Sequence, residues 1–320
     1  MEIVALAGGV GAGKFLRGLH AVARERSDRV TVIVNTGDDI ELHGLHVSPD
    51  LDSVCYWLSG SMDRERGWGR ADETFNAVEQ LRSMGVDAWF NLGDRDLATH
   101  LVRSQLLRGG ASLSGTTGVL ARDHFGLTER ILPMSDDPVT TRIDVVDPYG
   151  TALDLHFQEY WVRRGARDSV KQIRYVGSDR ASALPDALDA IAGADAVLLC
   201  PSNPVASIGP ILAIPGYRNA LQRRRDVVAG VSPIIGGAPL GGMADLLMPA
   251  AGLEVSALGA ARAYDGLLAG WVIDRRDASS AAVIADALDV RVAVTDSVMV
   301  DDEVARALAV SALDLLRVVG

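Results

Sequence analysis

The chain has 320 residues, enough for one large α/β domain, and 48% of them are hydrophobic, which supplies a sizeable core. Its net charge of −11 argues against binding to nucleic-acid backbones, and its two cysteines, Cys55 and Cys200, lie too far apart for a Cys-x-x-Cys zinc or redox motif. The first residues show no basic leader, and no run of 18 apolar residues occurs. We therefore expect a cytoplasmic protein with no membrane span.

The N-terminal part of the chain alternates between strand and helix patterns. Apolar runs at residues 3–7, 30–34 and 88–92 predict buried strands. Helices are predicted after the first strand, where Phe15, Leu16, Leu19, Val22 and Ala23 recur at helical spacing, and at residues 50–58, 72–84 and 112–126. Alternation of this kind is typical of a parallel sheet covered by helices on both faces.

The middle of the chain breaks this alternation. Consecutive strand patterns at residues 130–133, 141–146 and 152–160 predict a β-rich insertion. Strands at 196–200, 227–231, 271–273 and 292–295 and a closing helix at 301–318 then follow. The fold class is thus α/β, a Rossmann-like, doubly wound, mostly parallel sheet with a smaller inserted α+β region. We interpret the chain as one composite domain, in which residues 1–130 and 171–320 are the two halves and residues 131–170 are an insertion.

A glycine-rich loop follows the first strand. Gly8, Gly9, Val10 and Gly11 lead to Gly13-Lys14, and glycines let the backbone approach phosphate oxygens at a helix N-terminus. The run almost matches G-x-x-x-x-G-K-[ST], but Phe15 replaces the hydroxyl residue, and it lacks the third glycine of G-x-G-x-x-G. We interpret it as a phosphate-binding loop of neither standard type; the alternative is a tight turn without a ligand.

An acidic segment follows the second strand. Asp38 and Asp39 close the run Asn35-Thr36-Gly37-Asp38-Asp39, and Asp50 and Asp52 follow with Ser53. Carboxylate oxygens suit Mg²⁺ or a similar ion, which also contacts phosphates. Capping of the next helix by Asp50 or Asp52, with solvated loop charges, is the alternative. The intervening His43 and His46 receive no role.

Three weaker motifs also follow predicted strands. Arg95, in Gly93-Asp94-Arg95-Asp96, has a guanidinium that binds phosphate or stacks on a ring, although an ion-paired turn explains it as well. Asn203, in Pro201-Ser202-Asn203-Pro204 with Ser207 beyond it, and Ser232-Pro233 offer amide and hydroxyl groups to a nucleotide. Ligands of doubly wound sheets bind outside the carboxyl ends of the strands, so the motifs together predict an enzyme.

The ordered set of motifs resembles the 2-phospho-L-lactate transferase family of coenzyme F420 biosynthesis, in its mycobacterial-type phosphoenolpyruvate branch. The similar segments are residues 6–18, 35–53, 93–100, 132–141, 201–212 and 232–237. The resemblance implies a homodimer that transfers a phosphoenolpyruvyl or 2-phospholactyl group from a guanosine-diphosphate-linked donor to the ribityl hydroxyl of the deazaflavin FO. GMP leaves, and (dehydro) coenzyme F420-0 forms.

The resemblance also implies site residues. Asp50 and Arg95, with Asp52 and Ser53, would bind FO, and Asp50 would act on its hydroxyl. The guanine nucleotide would be held by Gly8, Gly9, Val10, Gly11, Lys14, Asn203, Ser232 and Pro233. Combined with the acidic loop, this predicts Mg²⁺ or another divalent ion on Asp38, Asp39 and Asp50.

Three other functions compete with this interpretation. A non-catalytic relative of the same fold would bind nucleotide sugars or dinucleotides as a regulator. A P-loop kinase or ATPase is disfavoured by Phe15, and a nicotinamide oxidoreductase by the missing glycine fingerprint. From the residues alone, without the resemblance, a phosphate-binding α/β enzyme is the prediction.

Overall fold

The computed structural model describes residues 1–317. Its centre is a parallel sheet of seven strands in the order β5-β2-β1-β9-β10-β13-β14. These strands are β1 (Glu2–Ala7), β2 (Arg29–Val34), β5 (Arg130–Pro133), β9 (Ala196–Leu199), β10 (Val228–Val231), β13 (Gly270–Asp274) and β14 (Arg291–Thr295). Counted along the chain, the sheet strands lie in the order 3-2-1-4-5-6-7, which is the Rossmann order extended by one strand. The predicted fold class is confirmed.

Three smaller sheets accompany the central one. The hairpins pair β3 (Ile40–Leu42) with β4 (Leu45–Val47) and β11 (Ile234–Ile235) with β12 (Ala238–Pro239). An antiparallel sheet, here called the inserted sheet, joins β6 (Thr140–Val146), β7 (Ala152–His156) and β8 (Ser169–Val176) in the order β7-β6-β8. A π-helical turn (Glu159–Arg163) lies between β7 and β8.

Twelve α-helices are present in residues 1–317. They are α1 (Gly9–Arg26), α2 (Pro49–Ser59), α3 (Asn76–Ser83), α4 (Asp94–Arg108), α5 (Leu113–Val119), α6 (Pro185–Gly193), α7 (Ile208–Ala213), α8 (Tyr217–Arg223), α9 (Ala244–Ala250), α10 (Ala257–Arg262), α11 (Ala281–Leu288) and α12 (Asp302–Arg317). Within this part of the chain, none is both long and apolar enough to cross a bilayer.

Alternating side chains of the central strands divide the core between the two faces of the sheet. In β1, Ile3, Ala5 and Ala7 pack with α1, α2 and α12, whereas Val4 and Leu6 pack on the other face with helices that include α6, α7 and α8. Because successive side chains of a strand point to opposite faces, one buried strand serves both layers. The carboxyl ends of the strands are left for the loops that carry polar motifs.

The structure corrects several predicted bounds. Residues 88–92 form no strand, because β2 pairs with β5 instead. Ala88 and Leu92 are buried in a separate small cluster with α3 and the β3–β4 hairpin.

The strand predicted at 130–133 is β5 of the central sheet, and the inserted sheet runs to Val176. The strand predicted to reach residue 160 ends at His156. The first turn predicted for the helix at 72–84 is absent, and Val318 of the closing helix lies outside the described residues.

Candidate active site

The site lies where the sheet reverses its direction of strand addition. The chain moves from β1 to β2 on one side and later returns to add β9 on the other side. In doubly wound folds ligands bind at the carboxyl ends of the strands at this switch point. The loop after β1 and the loop after β9 touch here: a Cβ atom on Gly8 would lie 2.7 Å from the Ser207 Cβ, and one on Gly11 would overlap the carbonyl oxygen of Pro201. Glycine at both positions is therefore required by close packing.

Asp50 faces the N-terminus of α1. Helix α1 begins at Gly9, whose backbone N–H donates to Asp50 Oδ1 at 2.7 Å. Pro49 opens α2, so Asp50 lies in the first turn of its own helix. The N-terminus of a helix attracts anions through its free N–H groups and dipole. The carboxylate thus occupies part of an anion-binding position, beside the place where the glycine loop would hold a phosphate.

Asn35 connects the two acidic segments at the end of β2. Its Nδ2 donates to Asp38 Oδ1 and to Asp50 Oδ2, each at 2.9 Å, and its Oδ1 accepts from the Gly37 N–H at 2.8 Å. Gln158 completes the arrangement, because its Nε2 donates to Asp38 Oδ2 at 2.9 Å. Each oxygen of the two carboxylates therefore accepts a hydrogen bond from a neutral donor.

The two carboxylates are buried, and within residues 1–317 neither forms an ion pair. Asp38 and Asp50 are only 4% and 6% exposed. Burial, together with the nearby charges of Asp50 and Asp39, raises the pKa of Asp38 well above its ordinary value. Burial also raises the pKa of Asp50 to about 6, although the hydrogen bonds from Asn35 and Gly9 act in the opposite direction. Both shifts express mainly the cost of placing negative charge in a low-dielectric site.

Asp39 does not join this pair. Its Oδ2 accepts from Ser48 Oγ at 2.8 Å and lies 3.0 Å from His46 Nε2. Burial raises the pKa of Asp39. Burial alone would lower the pKa of His46, but the hydrogen bond and charge of Asp39 outweigh it and the net shift is upward. In residues 1–317 Asp39 Oδ1 is buried without a hydrogen-bond partner, so one oxygen remains available to a ligand.

Asp52 belongs to a different network. Its carboxylate receives both terminal nitrogens of Arg103 on α4, with Nη1 at 2.9 Å from Oδ2. His100 Nδ1 lies 3.5 Å from Asp52, and Asp96 accepts from the Tyr56 hydroxyl at 2.5 Å. The sequence interpretation placed Asp52 with Asp50 at the acceptor. The structure instead turns it away from Asn35, because side chains two positions apart on a helix point in nearly opposite directions.

If the distances between possible ligand atoms were the only criterion, this second network would be chosen as the metal site. Among the described residues, the cluster whose possible ligand atoms all lie within 4.8 Å of one another is Asp52, Asp96 and His100, and the predicted trio Asp38, Asp39 and Asp50 is not such a cluster. The Arg103 guanidinium already balances the charge of Asp52. The Asp38–Asp50 pair, by contrast, has no cationic partner in residues 1–317 and fits a hard divalent ion, which commonly uses one or two carboxylates plus substrate phosphates.

Arg95 lies at the start of α4, away from these contacts. Its side chain is 53% exposed, its Nη1 donates to the Ala71 carbonyl at 3.0 Å, and it lies 3.6 Å from Asp72. Its backbone N–H is held by Glu73. The predicted strand before it is absent, so the Gly93–Asp96 turn is positioned by residues 71–76 rather than by the sheet.

The remaining predicted residues fall into two groups. The first group lies on α1 and α2. Val10 is exposed in the first turn of α1, and Lys14 is half-buried one turn further on. Ser53 follows Asp50 by three residues, which places it on the same face of α2. The others shape their own turns. Asn203 Oδ1 accepts from the N–H groups of residues 205 and 206, and Ser232 Oγ donates to the Ile234 carbonyl, beside half-buried Pro233.

Gly13 has a packing role instead of a ligand-binding one. A Cβ atom there would overlap the Trp57 ring, so the small residue lets α1 approach α2 closely. This contact helps to hold Asp50 against Gly9, because both helices carry one partner of that hydrogen bond.

Comparisons with known proteins identify the family of the chain. A family model described as 2-phospho-L-lactate transferase CofD matches residues 3–314. The chain belongs to the CofD family. It is therefore a transferase.

Curated relatives of this CofD-family chain match it over almost its whole length. It is 49% identical to a phosphoenolpyruvate transferase of Kitasatospora aureofaciens and 47% identical to one of Streptomyces griseus, over 98% of each chain. A phosphoenolpyruvate transferase of Mycolicibacterium smegmatis is 44% identical, again over 98% of both chains. A crystal structure of a UPF0052-family protein from Bacillus halodurans has the same fold, with a TM-score of 0.62 at 16% identity over 98% of this chain and all of that one.

No role was assigned from the sequence to three residues that contact the aspartates of the candidate site. Asn35 was read as part of the acidic motif without a role, although its position directly after a buried strand was a usable signal. His46 stands between the acidic segments, where its contact with Asp39 was not foreseen. Gln158 is 120 residues from Asp38, and no local pattern marks it.

Proposed function

We propose that this CofD-family transferase moves a phosphoenolpyruvyl group from a guanosine-diphosphate-linked donor to the ribityl hydroxyl of the deazaflavin FO. GMP is released and dehydro coenzyme F420-0, an intermediate of F420 biosynthesis, is formed. The relatives at 44–49% identity are named phosphoenolpyruvate transferases, which supports enolpyruvate as the three-carbon acid. The family description supports the same reaction with a 2-phospholactyl group as the second candidate.

The observation that carries the proposal is the position of Asp50. Its carboxylate lies at the N-terminus of α1, at the switch point of the sheet, and shares the Asn35 amide donor with the carboxylate of Asp38. The α1 N-terminus and the glycine loop are suited to the donor's pyrophosphate. A negative phosphate beside two carboxylates requires a positive charge to offset the repulsion. Asp38 and Asp50 would hold Mg²⁺ or another divalent ion, which supplies that charge.

The chain's own residues account for the remaining requirements of the transfer. The hydroxyl oxygen of FO attacks the outer phosphorus of the donor, the bond from that phosphorus to the bridging oxygen of GMP breaks, and the hydroxyl proton leaves. Asp50 accepts that proton or orients the hydroxyl, and a pKa of about 6 keeps it mostly ionised at neutral pH. A positioned base of this kind contributes on the order of 10²–10⁴ in rate.

The substrate contacts proposed for the other residues follow from their places around this centre. Gly8, Gly9, Val10, Gly11 and Lys14 lie along the start of α1. Asn203, Ser232 and Pro233 follow β9 and β10, the next strands of the sheet, so a nucleotide would extend across these strand ends. Ser53 faces the same side as Asp50, and Arg95 would reach FO from the rim. The homodimer stays a prediction.

Product analysis tests the proposal. The protein is incubated with FO, Mg²⁺ and the enolpyruvyl or lactyl guanosine-diphosphate donor, and the product is identified by mass spectrometry. We expect GMP and the enolpyruvyl product, which is lighter than the lactyl compound by two hydrogens. Turnover of the lactyl donor alone would assign the second candidate reaction. FO binding without a product from either donor would contradict the transfer and support a regulatory relative.

A further inference from the structure

The inserted sheet, together with the helical segment that joins its strands β7 and β8, contacts the acidic loop through three hydrogen bonds. Thr141 N–H donates to the Gly37 carbonyl at 2.5 Å, and His156 Nε2 lies 3.1 Å from the Asp39 carbonyl oxygen. The third is the bond from Gln158 Nε2 to Asp38 Oδ2 at 2.9 Å. Of the three, the Gln158 bond alone reaches a carboxylate, and it joins residues 120 positions apart in the sequence.

Local hydrogen bonds hold the backbone around Gln158. Its own N–H donates to His156 Nδ1 at 3.1 Å, and the His156 N–H donates to Glu159 Oε2 at 3.0 Å. The π-helical turn begins at Glu159, and Tyr160 within it is fully buried in the larger core cluster. π-Helical turns are rare and occur frequently at functional sites. Gln158, itself 4% exposed, thus contacts Asp38 from a buried, hydrogen-bonded segment.

The donor that Gln158 offers to Asp38 is a neutral amide, and this affects the charge of the carboxylate. An arginine at this position would orient Asp38 equally well but would cancel its charge, as Arg103 does for Asp52. An amide orients the carboxylate and leaves its charge available. Each carboxylate oxygen also has a second lone-pair site beyond the one that its amide donor uses. Amide donors are therefore suited to a carboxylate that must still bind a cation.

We propose that Gln158 is a positioning residue of the transferase site, which orients Asp38 for a divalent cation and makes the inserted sheet part of the catalytic centre. This inference rests on the proposed function for the presence of the cation. Residues that orient metal ligands typically change metal affinity or activity by about 10- to 100-fold when they are replaced.

The test is Mn²⁺ binding, measured by electron paramagnetic resonance on the full chain without substrates. Gln158→Met keeps the side-chain length and removes the N–H donor, and Gln158→Asn keeps the amide but shortens its reach. Gln172→Met is the matched control, because Gln172 lies on β8 of the same sheet and is exposed. Thermal unfolding identifies the variants that fold, and the conclusion is drawn from those.

We expect the Mn²⁺ dissociation constant to rise by about 10- to 100-fold in the Gln158 variants and to stay unchanged in the control. Unchanged Mn²⁺ affinity in a folded Gln158 variant would overturn the inference. A wild-type protein that binds no Mn²⁺ yet transfers the group to FO would also overturn it while leaving the proposed function intact. Mn²⁺ binding that depends on Gln158 in a protein without transfer activity would support the inference and contradict the proposed function.

Discussion

Asp50 and Asp52 are separated by one residue on α2, are buried to nearly the same extent, and have opposite electrostatic surroundings. Asp50 accepts hydrogen bonds from Gly9 and Asn35, which are neutral donors. Asp52 receives the guanidinium of Arg103. Burial by itself therefore does not distinguish the two carboxylates. The charge of the partner does, because a neutral donor leaves the negative charge available for a substrate or a cation.

The largest expected effect is on the Asp50 side of this comparison. Asp50→Asn should lower turnover by about 10²- to 10⁴-fold, since it removes the proposed base and a cation ligand. The fold should survive, because an asparagine oxygen can still accept from the Gly9 N–H. Turnover with FO and donor, together with a circular dichroism melt, measures both. Near-normal turnover would remove Asp50 from the mechanism.

Replacing Asp52 should instead affect mainly the stability of the fold. Asp52→Asn leaves the Arg103 guanidinium buried without its anion, which we expect to cost about 3–5 kcal/mol of unfolding free energy. Urea unfolding measures this cost. The double variant Asp52→Leu with Arg103→Met removes both charges and should recover much of the loss. An Asp52→Asn protein of wild-type stability that has lost turnover would place Asp52 at the acceptor, as the sequence interpretation had it.

The pH dependence of stability sharpens the comparison further. The pKa of Asp50 in the folded, metal-free protein is about 6, above its ordinary value of 3.8. The folded state therefore holds the proton more tightly than the unfolded state does. This contribution, roughly 3 kcal/mol, is complete below pH 4 and is lost as the pH rises through about 6. Urea unfolding in EDTA at pH 4.5 and 7 should show the decrease.

Asp50→Asn is the control for this measurement, because it lacks the titrating group. It should show a smaller decrease between the two pH values than the wild type, with Asp38 and Asp39 accounting for the part that remains. Equal pH dependence in the variant and the wild type would show that the Asp50 carboxylate carries no burial cost in the folded state.

The smallest expected effect is that of replacing Arg95, which contrasts with Arg103 on the same helix. Arg103 is buried and paired, whereas Arg95 is 53% exposed. Arg95→Met should change the unfolding free energy by less than about 0.5 kcal/mol, as surface substitutions usually do. If Arg95 binds FO, the KM for FO should rise by about 10-fold, which corresponds to 1.4 kcal/mol. Steady-state kinetics against FO measures this, and an unchanged KM would exclude Arg95 from the acceptor site.

The sequence predicted the parts of this site that depend on local pattern. The glycine loop after β1 and the acidic loop after β2 follow apolar runs, and both lie where parallel strands end. Residues 88–92 are equally apolar, but they pack in a small cluster beside the hairpin because β5 occupies the sheet position next to β2. Which strands pair depends on segments that are distant in the sequence, so a local pattern does not predict the pairing.

The orientation of the aspartates depends on still more distant contacts. No local sequence pattern separates Asp50 from Asp52. Their hydrogen-bond partners differ because α4 places Arg103 on one face of α2. The segments that follow β1 and β2 place Gly9 and Asn35 on the other face. Gln158 reaches Asp38 through the inserted sheet. Such contacts follow from the tertiary fold, so a single sequence without the structure does not reveal them.

Anomalous scattering from crystals soaked with Mn²⁺ and guanosine diphosphate tests the central claim most directly. The account predicts a manganese peak between the carboxylates of Asp38 and Asp50, next to the N-terminus of α1. A peak in the Asp52–Asp96–His100 cluster, with the Asp38–Asp50 pair empty, would contradict it.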